Sequence, residues 1–277
     1  VTDILGVVAL ALLAVGLVAL GWWLLIESEG VYLGRKVVVW LYDVYADRYD
    51  DIKHFHSEYD HMFLAQPIME RIAPHRAPLV LDVATGTARM PLAYLRHASF
   101  QGRIVGADLS RKMLAKAAAK LGNEPRVTLL WTPAERLPFA DHTFDVVTCL
   151  EALEFMEHPE AALAECVRVL RPGGLLLVTN RINTRLMPGK TMPDETMQAR
   201  LEALGMEQVE PEYWQVDYNR IWGVKRGQSQ PTGARPLVEI LRCPQCGELL
   251  HFEPNRYACP GGHFSAPIAA DRVVEMA

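Results

Sequence analysis

The chain has no surplus of positive charge. Its 28 Lys and Arg stand against 33 Asp and Glu, a formal net charge of −5, so broad attraction to nucleic-acid phosphates is not implied. Cysteine is sparse: five in 277 residues, with Cys149 and Cys166 mid-chain and Cys243, Cys246 and Cys259 near the end. That clustering argues against a disulfide framework and for a metal site. Glycine is missing where a dinucleotide loop needs it. The stretch LVLDVATGTARMPLAYL (Leu79–Leu95) runs from an apolar strand through a turn into a helix, and its turn, Ala84-Thr85-Gly86-Thr87-Ala88, holds one glycine. A G-x-G-x-x-G loop uses three to let backbone approach a pyrophosphate. The loop is either degenerate or built for a ligand without one.

Apolar sequence is plentiful: half of the residues are hydrophobic, enough for a globular core. Ile4 to Ile26 is an uncharged run of 23 residues, long enough to span a bilayer with some tilt. It lacks the basic start, short apolar core and small-residue cleavage site of a signal peptide, and Trp22 and Trp23 sit where an aromatic belt would. A retained transmembrane helix over residues 1–28 is the preferred reading. Only Asp3 is charged before it, whereas Arg35, Lys36, Arg48 and Lys53 follow. The positive-inside rule therefore makes this a single-pass protein of the cell membrane with its catalytic part facing the cytoplasm. Beyond it, Val37, Trp40, Leu41, Val44 and Tyr45 fall at helical spacing. That stripe either packs on the domain or lies on the membrane surface.

From Leu79 the chain alternates strand and helix, the pattern of a parallel doubly wound α/β sheet that binds ligands at the carboxyl ends of its strands. LVLDVA is followed by a helix to about Arg96, GRIVGADLS by RKMLAKAAAKLG, RVTLLWT by AERLPF, and FDVVTCLEA by PEAALAECVRVL. The run RPGG then turns into LLLVTNR. Asp108 ends the second strand about 20 residues after the turn, where a carboxylate can accept both hydroxyls of a ribose. The one-glycine turn leaves room for a small carboxylate and amine. Together these fit S-adenosylmethionine (SAM) better than NAD.

LDVATGTAR, VGADLSRKML, AERLPFADHTFDVV and VLRPGGLLLVTNR resemble, in order, the motifs of class I SAM-dependent methyltransferases of the type-11 group, which includes quinone methyltransferases. YDVYADRYD (Tyr42–Asp50) is similar to the segment that precedes the fold in that group, and the resemblance covers roughly residues 42 to 225. It implies that Asp82, Ala84 and Gly86 line the methionine end of SAM and that Asp108 holds the ribose. Leu109 and Met113 would flank the adenine, Ala134 would offer it a backbone N–H, and Cys149 and Leu150 would floor the sulfonium. For Leu109, Met113 and Leu150, plain core packing is nearly as good an account.

The chain departs from the group's pattern at several points. Ala84 and Ala88 stand where many relatives carry glycine. Pro133 replaces an Asp that binds the adenine amino group, a hydrogen bond contributing about 0.5–1.5 kcal/mol, so weakened SAM binding is expected. Relatives, including quinone O-methyltransferases, often read E-x-L-E-H after the fourth strand and in some the group binds a divalent metal. This chain keeps Glu151 and Glu154, has Phe155 in place of the His, and offers His158 three residues on. Surface carboxylates near a helix start are the preferred account of these acids. No Asn/Asp-Pro-Pro-Tyr motif is present, so the common arrangement for methylating an exocyclic base nitrogen is absent. His54, His56 and His61 in KHFHSEYDH have no spacing that fixes them on one face. Tyr49 and Tyr59 are better placed to line a substrate cleft, because in the related group this segment folds over the SAM site. Glu151, Glu154, His158 and Tyr49 are the catalytic candidates, and none is assigned a role.

The tail supplies Cys243-x-x-Cys246 and Cys259-x-x-x-His263, two short knuckles able to place three thiolates and an imidazole around zinc. It resembles the small zinc-ribbon proteins that activate methyltransferases. It also resembles the zinc knuckle of some rRNA guanine methyltransferases, where the knuckle is N-terminal. Arg242, Arg256 and Arg272 are outnumbered by Glu239, Glu248, Glu253, Asp271 and Glu275, so the tail suits structure or protein docking better than phosphate binding.

The expected organisation is an anchor (1–28), juxtamembrane helices and lid (29–78), a Rossmann-like SAM-binding domain (79–225), a linker (226–236) and a zinc ribbon (237–277). The expected activity is methyl transfer to a lipid, quinone or other hydrophobic acceptor at the bilayer. An RNA or protein methyltransferase docking through its ribbon is the alternative, and a degenerate SAM-fold scaffold a third.

Overall fold

The computed structural model describes residues 2–53, 57–183 and 187–277, the side chains of residues 2 and 3 excepted. The expected histidines His54 and His56 lie outside the described residues. Helix α1 (Thr2–Trp22) continues as a π-helical turn, Trp23–Glu27. Every side chain from Ile4 to Leu20 is exposed, and Ile4–Glu27 is long and apolar enough to cross a membrane. A tight turn at 28–34, where Trp23 and Tyr32 stack at 5.0 Å, leads into α2 (Arg35–Tyr45). The stripe on α2 divides. Leu41, with Val38 beside it, is buried, whereas Trp40 and Val44 are 57% and 51% exposed. Short helices α3 (Tyr49–Lys53), α4 (Ser57–Asp60) and α5 (Gln66–Arg71) follow.

The sheet then begins with β1 (Leu79–Val83), α6 (Arg89–Arg96), β2 (Arg103–Asp108), α7 (Arg111–Leu121), β3 (Val127–Trp131), β4 (Phe144–Cys149), α8 (Pro159–Val169) and β5 (Leu170–Arg181). Local chemistry sets the helix limits. The Ser110 hydroxyl caps α7 by accepting from the Met113 amide at 3.2 Å, and Pro159 stands in the first turn of α8. After α9 (Asp194–Ala203) comes a hairpin, β6 (Met206–Gln215) and β7 (Tyr218–Lys225), then β8 (His251–Glu253), β9 (Arg256–Ala258), β10 (Ser265–Pro267) and β11 (Val274–Glu275).

The strand order is β11-β3-β2-β1-β4-β5-β7-β6, parallel except around β7. The order reverses between β1 and β4, where an open α/β sheet leaves a crevice at the carboxyl ends of its strands. β1 and β4 are buried along their whole length, as strands covered on both faces must be. This is the Rossmann-like α/β fold read from the alternation.

The tail is packed into that fold. Leu237, Ile240, Leu241 and Leu250 belong to the same buried cluster as Leu81, Val105 and Val147 of the central strands, and β11 extends the sheet as a parallel neighbour of β3. Residues 226–236 are held as well: the amides of Thr232 and Gly233 donate to the buried Asp145 carboxylate at 2.8 and 3.1 Å. Arg171 and the Leu79 amide bind the same carboxylate, and they hold it below the usual carboxylate range despite its burial.

Because Leu241 is fully buried in the shared core, Leu241→Ala should cost about 2–5 kcal/mol. Denaturant unfolding in mild detergent should shift as one transition. A main transition left in place, with only a minor early one moving, would mean that the tail has a separate core.

Candidate active site

A cleft of about 850 Å³, counting its open mouth, lies at the carboxyl ends of β1, β2 and β4. The turn after β1 forms one wall, and its backbone is unusual. Ala84, Gly86 and Ala88 all have left-handed φ, at 56°, 55° and 72°. Glycine adopts this conformation freely, whereas alanine pays a steric penalty of about 1–2 kcal/mol. Hydrogen bonds hold the turn in shape. The Thr85 amide donates to the Ala107 carbonyl at 3.0 Å, and the Gly86 amide donates to Asp108 Oδ2 at 2.8 Å. The Ser110 amide occupies Asp108 Oδ1 at 2.7 Å. Burial pushes the Asp108 carboxyl up to about 6, against the pull of those amides.

Seven residues expected at the cofactor line this cleft together: Ala84, Gly86, Asp108, Leu109, Met113, Ala134 and Leu150. Asp82 and Cys149 do not. Asp82 is buried behind the turn, where it accepts from Thr85 Oγ1 and Thr148 Oγ1, both at 2.6 Å, and burial raises it to about 6. It shapes the loop from below. Cys149 is fully buried in the core beneath Leu150, and burial lifts its thiol well above the usual range.

The candidates for chemistry separate. Glu151, itself left-handed at φ 50°, faces the cleft. Its carboxylate accepts from Arg89 at 2.7 Å and from Gln215 at 2.8 Å. Glu154 points elsewhere, buried against the Tyr218 hydroxyl and 3.7 Å from Arg181, and burial raises its carboxyl. His158 is exposed at the start of α8. Glu151, Glu154 and His158 therefore form no metal-ligating group among the described residues, in which Cys243, Cys246 and Cys259 make up the one group found. Tyr49 lines the cleft beside Gly86, and burial raises its phenol, so it stands as a neutral hydrogen-bonding group. Tyr59 does not reach the cleft: it is 57% exposed and packs near Phe63 at 6.2 Å. His61 faces the His97 ring at 5.4 Å.

Sequence reasoning expected a lid over residues 29–78 but did not name the α2 side chains that form the second wall. Arg35, Val38, Val39 and Tyr42 of α2 line the cleft together with Phe155 and Met156. Arg35 pairs with Glu135 and, at 3.4 Å, with Glu157 across the rim. Tyr42 meets Phe155 edge-on at 5.9 Å and donates to Glu29 at 2.9 Å. Partners so remote in sequence leave no local signal. Asp43 and Asp50 pin the segment down by accepting from Ser110 at 2.6 Å and Thr87 at 2.5 Å.

In the tail, the Sγ atoms of Cys243, Cys246 and Cys259 lie within 4.8 Å of one another, with Cys246 and Cys259 3.5 Å apart. Thiolates around one tetrahedral zinc stand about 3.8 Å apart, given Zn–S bonds of about 2.3 Å. His263 Nδ1 is 3.8 Å from Cys259 Sγ. Each knuckle turns on a left-handed glycine, Gly247 or Gly262; the three cysteines form a group able to hold a metal ion, and His263, expected as the fourth ligand, stands outside it.

Residues 81–178 match the family model described as a methyltransferase domain. The chain is 36% identical over 156 residues to the ubiquinone/menaquinone biosynthesis C-methyltransferase UbiE of Roseobacter denitrificans, covering 54% of this chain and 60% of that protein. It is 33% identical over 136 residues to the demethylmenaquinone methyltransferase of Porphyromonas gingivalis, covering 48% and 56%. It thus spans well under two thirds of the length of either relative. Among solved structures, a SAM-dependent methyltransferase from Aquifex aeolicus aligns with a TM-score of 0.51 at 18% identity, over 62% of this chain and 94% of that one. A chain from the complex of the Haloferax volcanii Trm112 methyltransferase activator with its methyltransferase aligns with a TM-score of 0.55 at 18% identity, over 67% and 98%. At such identity these two likenesses speak to fold alone. Residues 81–178 thus carry the methyltransferase-domain match, set in a Rossmann-like α/β fold shared with solved methyltransferases.

Proposed function

We propose that this chain transfers the methyl group of SAM to a hydrophobic, quinone-type acceptor at a membrane. The observation that carries the reading is the division of the cleft. One half is the turn and Asp108, suited to the amino acid and ribose of SAM. The other half is mainly apolar, built from Val38, Val39 and Tyr42 of α2 with Phe155 and Met156, and α2 follows the exposed apolar α1 after one tight turn. The names of the UbiE-type relatives support a quinone acceptor.

Methyl transfer from a sulfonium is an in-line displacement, in which the acceptor gains the methyl, S-adenosylhomocysteine leaves and the acceptor loses a proton. Positioning supplies much of the catalysis. Asp108 would accept from the ribose hydroxyls and the Gly86 turn would hold the methionine end, while Leu109 and Met113 would flank the adenine. Val38, Tyr42 and Phe155 would hold the acceptor and exclude water. Glu151, facing the cleft and paired with Arg89, would receive the acceptor's proton, and Tyr49 would donate a hydrogen bond. In the tail, zinc held by Cys243, Cys246, Cys259 and His263 would lock the two knuckles together. Anchoring by α1 raises the enzyme's concentration beside a lipid-borne acceptor, with the domain on the cytoplasmic side as the flanking charges direct.

Ribose hydroxyls are best accepted by an ionised Asp108. Its carboxyl lies at about 6, so SAM affinity should be level above about pH 7 and fall by up to roughly tenfold per unit below the carboxyl's own value. Asp108→Asn should weaken binding about 10–100-fold, or about 1.4–2.8 kcal/mol, and flatten that pH dependence. Isothermal calorimetry showing native affinity in the folded variant would remove Asp108 from the site.

Purified chain should carry about one zinc by plasma mass spectrometry, and Cys259→Ser should lose it. A metal-free preparation whose tail resists protease would refute the zinc reading.

The acceptor is tested with the full chain in phosphatidylcholine vesicles and methyl-labelled SAM. Label should pass to a long-chain demethylated quinol in the vesicles and, less efficiently, to a short-chain soluble analogue. Deleting residues 1–26 should abolish that preference and leave SAM affinity intact. Label passing instead to added RNA or soluble protein would transfer the reading to those acceptors.

A further inference from the structure

We infer that Arg111, Asp271 and Glu275 are positioning residues through which the C-terminal tail sets the geometry of the cofactor loop. This rests on the reading of Leu109–Met113 as that loop. Arg111 is the first residue of α7, directly after the capping Ser110 and three residues beyond Asp108. Its guanidinium grips the tail with all three nitrogens. Nη1 and Nη2 donate to the two oxygens of Asp271, both at 2.8 Å, and Nε donates to Glu275 at 3.0 Å.

The grip has two further connections. The amides of Met276 and Ala277 donate to the Trp131 carbonyl at 3.0 Å, and the Trp131 indole donates to the Leu109 carbonyl at 2.9 Å. The second of these bonds ends on Leu109, one of the residues that would face adenine. Below the helix, Val273 is fully buried in one cluster with Leu114 and Ala117 of α7 and with Ala88, the last residue of the β1 turn. The tail therefore reaches both loops that wall the cofactor half of the cleft.

The tail side is preset. Asp271 belongs to a turn in which Arg272 is left-handed at φ 67°, the Ala269 amide donates to Val273, and the Val273 amide donates back to Asp271 at 3.3 Å. The side chains of Arg111, Asp271 and Glu275 are 27–30% exposed. A single pair of that exposure adds little stability, but a bidentate guanidinium–carboxylate contact is geometrically exacting. The clasp is thus suited to fixing where α7 begins rather than to holding the protein together.

The test compares the full native chain with Arg111→Ala, Asp271→Ala, the double variant, and the charge swap Arg111→Asp with Asp271→Arg. Hydrogen exchange without ligand should quicken over residues 107–113 in each single variant, while exchange in β1 and β4 and the unfolding midpoint stay nearly unchanged. SAM affinity by calorimetry should fall roughly 3–10-fold in each single variant, with no further loss in the double one, and recover in the swap. Arg111→Lys, which keeps the charge without the fork, should fall between and covers the case in which Arg111→Ala folds poorly. Unchanged exchange over 107–113 would overturn the inference, as would additive losses or a swap that restores nothing. Because exchange is read without SAM, that outcome is separate from whether the native chain binds SAM at all.

Discussion

The hydrogen bond from the Gly86 amide to the Asp108 carboxylate joins the two loops on which the cleft depends. It ties a turn containing two left-handed alanines to the end of the neighbouring strand. Without it, the turn would have a steric cost and less to oppose it. The same carboxylate accepts the Ser110 amide that opens α7, so one side chain sets both the turn and the helix start. Its partial burial raises its own protonation range, a cost that donors from a ribose would offset by favouring the ionised form.

Around this contact the chain brings three segments distant in sequence. The helices ahead of the sheet contribute Asp43, Asp50 and Asp60, which bind Ser110, Thr87 and Arg89. The post-β4 loop contributes Glu151, paired with the same Arg89. The tail contributes Asp271 and Glu275 on Arg111. Each contact lands within a few residues of the β1 turn or the β2 end. The other wall, α2 with Phe155, is held both by apolar packing and by polar contacts of its own, Arg35 with Glu135 and Asp43 with Ser110.

The strand–helix alternation from Leu79 to Arg181 and the acid at the end of β2 were legible in the chain, because each is set by local periodicity and turn chemistry. Seven of the expected cofactor residues line one cleft for the same reason: they follow strand ends. Asp82 and Cys149, expected at the cofactor, lie buried behind the residues that line the cleft. Alternation along a strand indicates which face a residue takes, but not whether a hydroxyl such as Thr85 or Thr148 folds over it. Tyr59 was expected beside Tyr49 in the cleft and instead faces outward.

The sequence by itself determined the parallel α/β sheet, the apolar helix ahead of it and the paired knuckles of the tail. Those features depend on residue spacing within a few turns of chain. Only tertiary structure decided that α2 forms the second wall and that Glu151 and Glu154 part company. It also decided that the tail joins the sheet through β11 instead of standing apart. Each of these outcomes turns on contacts between residues far apart in the chain, such as Arg35 with Glu135 and Arg111 with Asp271. Their pairing free energy exists only once the sheet has set their separation, so no local pattern can announce them.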